Sequence, residues 1–273
     1  MADPFQRYRG LEIAADAPAP DARAEVVYHL VGDLDLTQSS TAADYAAAAH
    51  ATIDGILDRG RVPIVAGGTG LYLRAALAEL DFPGEAPLGV RQAVEQLVDT
   101  DLAGAIDELR QREPAAAARI DLRNPRRVSR ALELARVGAS RLAQDRLWTD
   151  TTRRPTRIVG VTRPRPTLDA LIAQRVQREL DDGLVSEIET AIDTPGLSRA
   201  AAQIIGVREV LALRTGAIES TALPELLAAR TRKLARAQLT WLRKTPSVHQ
   251  IDLDVAPAVD AVEQLLTFWE DGS

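Results

Sequence analysis

The feature that most constrains this chain is a five-residue apolar run, Val62, Pro63, Ile64, Val65 and Ala66, closed by Gly67-Gly68-Thr69-Gly70 and followed by helical periodicity to residue 80. A short apolar run ending in glycines reads as a buried strand turning sharply into a helix. Backbone N–H groups at such a helix start, together with the positive end of the helix dipole, suit an anion. A glycine turn built only for close packing fits the same residues, and the sequence leaves both readings open.

Around this β-loop-α unit, strand-like and helical segments alternate. Strands are expected at 26–31, 62–66, 158–161 and 248–253, and helices at 42–59, 71–80, 126–137, 168–181, 185–192 and 224–244. Residues 16–21, built of Ala, Pro and Asp, read as a surface loop. The alternation predicts an α/β fold with a parallel sheet. Residues 83–122 are entered through Pro83, Gly84 and Pro87 and are helical beyond, so they read as an insertion. The expected domains are an α/β core of residues 1–82 and 123–273 and a helical insertion of residues 83–122. An irregular arginine-rich link over 138–157 leads to the strand at 158.

With 273 residues and 46% hydrophobic content the chain can bury a sizeable core. Cysteine is absent, and no charged-then-apolar leader pattern or apolar run approaching the roughly 20 residues of a bilayer span occurs. The expectation is a soluble cytoplasmic protein with no membrane contact. His29, His50 and His249 lack metal-ligand spacing, so no resident metal site is expected.

The net charge of -6 argues against a polyanion partner until its distribution is considered. Residues 119–165 carry 13 arginines against 4 acids, and residues 229–244 carry 6 basic residues and no acid, leaving 14 basic against 35 acidic residues elsewhere. Basic charge gathered into two segments of an acidic protein suggests an anionic partner, although solvated helix faces also concentrate arginine. In the helix expected at 126–137, Arg126, Arg127 and Arg130 lie opposite Val128, Ala131, Leu132 and Ala135. In the helix expected at 224–244, Arg232, Arg236 and Arg243 form a stripe opposite Leu227, Leu234 and Trp241. In the helix expected at 168–181, Arg175 points into the apolar face of Leu168, Leu171, Ile172 and Val176, with Glu179 one turn on as a structural ion-pair partner.

Four segments occur in a fixed order: Asp3-Pro4-Phe5-Gln6-Arg7-Tyr8-Arg9-Gly10, Gly67-Gly68-Thr69-Gly70-Leu71-Tyr72-Leu73-Arg74, Arg126-Arg127-Val128-Ser129-Arg130, and Thr231-Arg232 through to Trp241-Leu242-Arg243. Together they resemble the tRNA dimethylallyltransferase family over nearly the whole chain. The resemblance implies a P-loop NTPase-like parallel sheet with a helical insertion domain that contacts tRNA. It implies a monomer that transfers a dimethylallyl group from dimethylallyl diphosphate to N6 of an adenosine beside the anticodon, with Mg²⁺ and release of pyrophosphate.

Residue by residue, the resemblance implies that Asp3 is the general base. N6 of adenine is a poor nucleophile, and a carboxylate that takes its proton as the C–N bond forms helps by roughly 10² to 10⁴-fold. Gln6 has a donor and an acceptor for the edge of an unstacked base, with Pro4 and Phe5 beside it. Gly67, Gly68, Thr69, Gly70, Arg74 and Arg175 are implied at the diphosphate, and Thr69 at the reacting groups. Arg126, Arg127, Val128, Ser129, Arg130, Arg232, Arg236 and Arg243 are implied along the tRNA anticodon stem-loop.

One family element is not in the sequence. Lys233 and Lys244 are the only lysines, so these 273 residues hold no Gly-x-x-x-x-Gly-Lys-Ser/Thr phosphate loop. The first strand and that loop are expected to be missing because the chain is a fragment or begins late. The alternative is a catalytically impaired homologue that still binds tRNA, and a nucleotide kinase-like protein explains the glycine turn but leaves the arginine faces idle.

Overall fold

In chain order the helices before the first strand are α1 (Pro20–Glu25), α2 (Ala42–Asp58), α3 (Gly70–Leu77), α4 (Leu88–Thr100), α5 (Leu102–Arg112), α6 (Pro114–Arg119) and α7 (Pro125–Arg136). There follow β1 (Ile158–Thr162), α8 (Arg165–Asp181), α9 (Leu184–Ile192), α10 (Val207–Arg214), α11 (Leu223–Lys244), β2 (Val248–Asp252) and α12 (Ala258–Glu270). The computed structural model describes residues 1–139, 147, 149–255 and 258–270, so part of the arginine-rich link lies outside the described residues. Two units form, Met1–Ala78 with Asp150–Ser273, and Glu79–Thr149.

In the first unit β1 and β2 pair in parallel, from Ile158 opposite Val248 to Thr162 opposite Asp252. Parallel strands need a long crossover, and α8 to α11 supply it. These helices close on Ile172, Val176, Leu184, Ile188, Val210 and Leu227, with Tyr8 and Leu11 packed among them. Each such side chain contributes about 1.5–3 kcal/mol on burial. Gly206, which opens α10, has φ +106, and a Cβ there would stand 2.6 Å from Ile188 Cδ1, so conformation and packing both demand glycine. A capping box starts α2: Asp44 N donates to Thr41 Oγ1 at 3.1 Å and Thr41 N donates to Asp44 Oδ2 at 2.8 Å.

The α/β class with a parallel sheet is borne out, and the strands at 158–162 and 248–252 fall where the sequence puts them. Residues 26–31 and 62–66 do not behave as expected, for they join no ladder among the described residues. Val62 is 57% and Ile64 87% exposed, the reverse of a buried strand. β-branched residues favour a strand only where a neighbour pairs the backbone and covers the side chains. Among the described residues the one backbone hydrogen bond of 62–66 is from Ala2 N to Ala66 O, at 2.7 Å. The loop expected at 16–21 runs into α1, which begins at Pro20.

The second unit is helical. Val94 and Val98 of α4, Ala105 and Leu109 of α5, Ala117 of α6, and Val128, Ala131 and Leu132 of α7 make one buried cluster. The unit therefore runs on to Thr149 instead of ending at 122, and α7, expected in the α/β core, belongs here. The apolar face of α7 explains the shift, because it fills the space between α4 and α5. Arg136 fixes the pairing with two hydrogen bonds to Glu108, Nε to Oε1 at 2.9 Å and Nη2 to Oε2 at 2.6 Å.

Candidate active site and basic faces

The bond from Ala2 N to Ala66 O lays the segment bearing Asp3 along the entry to the glycine turn. The approach is close enough that a Cβ on Gly67 would lie 2.4 Å from Ala2 O. A Cβ on Gly68 would lie 2.1 Å from Gln238 Nε2, and one on Gly70 2.2 Å from the Trp241 ring. All three glycines thus serve contact with other segments, which is the packing reading of the turn. Thr69 is the N-cap of α3 in extended backbone, and its hydroxyl makes no capping bond, which leaves that oxygen uncommitted to the helix.

Asp3 Oδ1 accepts from Phe5 N at 2.8 Å. Burial raises the carboxyl above the ordinary Asp value, against the lowering effect of the Phe5 and Gln6 N–H groups, and the Asp16 carboxylate adds to the rise. The Tyr45 and Tyr72 rings stand 4.5 Å apart nearby. Burial pushes the Tyr72 hydroxyl up to about 12 and that of Tyr45 further. Both phenols are protonated at neutral pH, so neither tyrosine serves as a base beside Asp3. Pro4 and Phe5 are half-buried, and Phe5 packs against the main core, so it acts as support beside the carboxylate.

Gln6 is less free than its sequence position suggests. Its Nε2 donates to Asp16 O at 2.8 Å and to Ala15 O at 3.4 Å. Two carbonyls fix which end of the amide is nitrogen, so Oε1, buried without a hydrogen-bond partner, is the end left to accept. The expected donor-and-acceptor pair for a base edge reduces to one acceptor.

Arg175 joins the same cluster. Its Nη1 donates to Asp16 Oδ2 at 2.8 Å, and its Nε lies 3.0 Å from Glu179 Oε1 at an angle that makes an ion pair but no hydrogen bond. Burial raises the Glu179 carboxyl, and the Arg175 charge opposes the rise. Arg74, one turn into α3, is 2% exposed, and its Nη2 donates to Thr151 O at 3.2 Å. Burial lowers its guanidinium, with Asp150 countering.

Three residues were not marked by the sequence. Arg7 makes two bonds to Asp33, Nε to Oδ1 at 3.0 Å and Nη2 to Oδ2 at 2.6 Å, and a third to Ser40 Oγ at 2.7 Å. Glu187 accepts from Ile13 N and Ala14 N, both at 2.9 Å, and Asp16 takes Arg175. Partners 26 to 174 positions apart leave no periodic trace. The left-handed backbone of Asp16, φ 49, is likewise a product of the fold.

On α7 the implied RNA contacts divide. Val128 is 0% exposed and belongs to the core, because at 100° per residue it points away from Arg126 and Arg127. This corrects its expected place along the tRNA. Ser129 Oγ donates to Glu133 Oε1 at 3.3 Å. Arg130 is held by Glu133 Oε2 at 3.1 Å and by the carbonyls of Pro83 at 2.8 Å and Gly84 at 3.1 Å, so it braces the entry of its own unit. Arg126 and Arg127 are exposed. On α11 Arg232 pairs with Glu225, while Arg236 and Arg243 are exposed. Among the described residues Arg127, Arg236 and Arg243 form no ion pair.

A parallel α/β unit with a part-buried carboxylate against a glycine turn and arginines close by, together with a helical unit exposing guanidinium groups, is the build of a transferase for a phosphate-bearing substrate. The family model for IPP transferase matches residues 6–245, and the chain belongs to that family. The tRNA dimethylallyltransferase of Thermobifida fusca is 36% identical over 261 residues, 95% of this chain and 81% of that protein. That of Salinispora tropica is 38% identical over 255 residues, 92% of this chain and 79% of its own length. The solved full-length tRNA isopentenylpyrophosphate transferase of Bacillus halodurans superposes with a TM-score of 0.71 at 27% identity, covering 99% of this chain and 86% of that one. A eukaryotic dimethylallyltransferase acting on tRNA shares the fold at a TM-score of 0.76 and 20% identity, over 98% of this chain and 72% of its own.

Proposed function

We propose that this chain transfers a dimethylallyl group from dimethylallyl diphosphate to N6 of an adenosine next to the anticodon of tRNA. The juxtaposition of Asp3 with the glycine turn, within a chain that matches tRNA dimethylallyltransferases along its length, carries the reading. Asp3 takes the N6 proton as the C–N bond forms and the bond from carbon to diphosphate oxygen breaks. Its raised proton affinity suits that task better than an ordinary carboxylate would. Gln6 Oε1 accepts from the adenine edge. The Thr69 hydroxyl, Arg74 and Arg175 hold the departing diphosphate, and Arg126, Arg127, Arg236 and Arg243 attract the phosphates of the anticodon stem-loop. Ser129, Arg130 and Arg232 support those faces through their carboxylate partners.

Among the described residues no three His, Cys, Asp or Glu side chains converge as a metal site. The Thr69 hydroxyl beside the turn fits an ion that keeps most of its waters and arrives with the diphosphate, as Mg²⁺ does. Bound there, Mg²⁺ would neutralise charge building on the leaving group. The protein acts as a soluble monomer in the cytoplasm in this reading, and no described helix is long and apolar enough to cross a membrane.

The test is incubation with radiolabelled dimethylallyl diphosphate and an anticodon stem-loop RNA. Label in RNA that depends on the target adenosine and is lost with Asp3→Asn supports the proposal. Label that ignores the adenosine or survives Asp3→Asn overturns it. A second reading, a tRNA-binding homologue impaired in catalysis, is favoured by the lack of a Gly-x-x-x-x-Gly-Lys-Ser/Thr sequence in these 273 residues. Tight RNA binding with no label transferred would select it.

A further inference from the structure

The turn at residues 11–16 is tied from three sides, and its last residue carries an anion that the proposed reaction does not use. Glu187 takes the N–H groups of Ile13 and Ala14, Gln6 takes the Asp16 carbonyl, and Asp16 N donates to Ile13 O at 3.1 Å. These bonds hold Asp16 in the left-handed region, which a residue with a Cβ enters only when its surroundings impose it. The outcome is that the Asp16 carboxylate meets the Arg175 guanidinium at 2.8 Å.

We propose that Asp16 is a positioning residue that occupies Arg175 in the free protein as a stand-in for the substrate diphosphate and yields it when the diphosphate binds. The inference rests on the reading that Arg175 serves the diphosphate. Three observations support exchange over a permanent brace. The contact is a single hydrogen bond, with the Asp16 side chain 59% and that of Arg175 34% exposed, so water reaches both partners and screens the pair. The contrast within the same unit is Arg7 with Asp33, doubly bonded, with the arginine nearly buried and Ser40 as a further acceptor, so that guanidinium is held at three points instead of one.

The second observation is on the other flank of Arg175. Glu179 is the more buried carboxylate and lies close to Nε, so Arg175 keeps an orienting neighbour when Asp16 leaves. The third is the chemistry of the competitor. A diphosphate brings more charge and more acceptor oxygens than one carboxylate, and charge-assisted bonds to it displace a screened single contact. The tether also explains why the carboxylate comes from a turn: Asp16 swings aside while Gln6 and Glu187 keep the backbone in place. Holding the guanidinium between two carboxylates before substrate arrives spares the cost of ordering a long side chain at the moment of binding.

Inorganic pyrophosphate is the probe. Its affinity is measured by calorimetry for the protein as it stands and for Asp16→Asn, Asp16→Gly, Arg175→Ala and the Asp16→Asn/Arg175→Ala double variant. Asn and Gly both accept the left-handed backbone, so at least one keeps the turn folded, and thermal melting checks this. Removal of the competitor is expected to tighten pyrophosphate roughly three- to tenfold, and the gain is expected to vanish in the double variant. Unchanged or weaker affinity in Asp16→Asn and Asp16→Gly, with Arg175→Ala still damaging, overturns the stand-in role and leaves the diphosphate role of Arg175 intact. Unchanged affinity in Arg175→Ala overturns both.

Discussion

Arg74 and Arg127 set the two regions of this protein side by side. Arg74 is buried, its charge disfavoured by its surroundings and directed at the carbonyl of Thr151. Arg127 is exposed at the start of α7 and forms no ion pair with a described residue. A charge inside the fold is kept only if fixed groups compensate it, so it encodes a geometry. A charge at the surface costs little and encodes attraction. Arg74 and the part-buried Asp3 belong to the first kind and the faces of α7 and α11 to the second.

The contrast is broken most forcefully at Asp3. Asp3→Asn should lower the chemical rate by roughly 10²-fold or more while RNA affinity stays within a few-fold, as single-turnover and binding measurements would show. The same change should leave melting at pH 7 equal or higher. Burial raises the Asp3 carboxyl above its ordinary value of 3.8, so folding is penalised in full above the raised value, the penalty fades as the pH falls from the raised value towards the ordinary one, and it is gone below that. A variant melting well below the parent at pH 7, with the gap closing in acid, would contradict that sign. In the rate profile the acid limb should lie above the range of an ordinary aspartate.

A smaller effect separates the two sides of α7. Val128→Ala should cost roughly 1–3 kcal/mol of stability, read from denaturant midpoints, because it opens a cavity among Val94, Leu109 and Leu132. The RNA affinity of the folded fraction should not move. A loss of RNA binding without a loss of stability would return Val128 to the interface.

The smallest effect on stability is expected at the exposed arginines. Changing Arg127, Arg236 and Arg243 together to Gln should shift stability by less than about 1 kcal/mol. RNA binding should weaken, and its log-log salt slope should flatten by about 0.7 to 0.9 for each phosphate that is no longer neutralised. Full affinity with an unchanged slope would make these solvated faces and nothing more. Arg130→Gln is the sharper control, since its bonds to Glu133, Pro83 and Gly84 predict a drop in stability before any drop in RNA affinity.

Local rules fixed much of this protein in advance. Period and punctuation placed α2, α3, α8, α9 and α11 within a few residues, and the runs at 158 and 248 became a parallel pair, because helical periodicity and short apolar runs are written in neighbouring residues. The motif around Asp3 and the glycine turn were legible for the same reason. Tertiary structure decided the rest. The apolar run at 62–66 reads as a strand, yet ladder formation depends on a neighbour that no local pattern specifies. Val128 and Arg127 are adjacent in sequence and opposed in space, as the helical period already sets out, but that α4 and α5 are what cover the apolar face is decided by packing. The bonds joining Gln6, Asp16, Arg175 and Glu187 link positions up to 174 residues apart, and the left-handed Asp16 follows from them. Such contacts carry no signature in the sequence, because each is chosen by the three-dimensional closure of the whole unit.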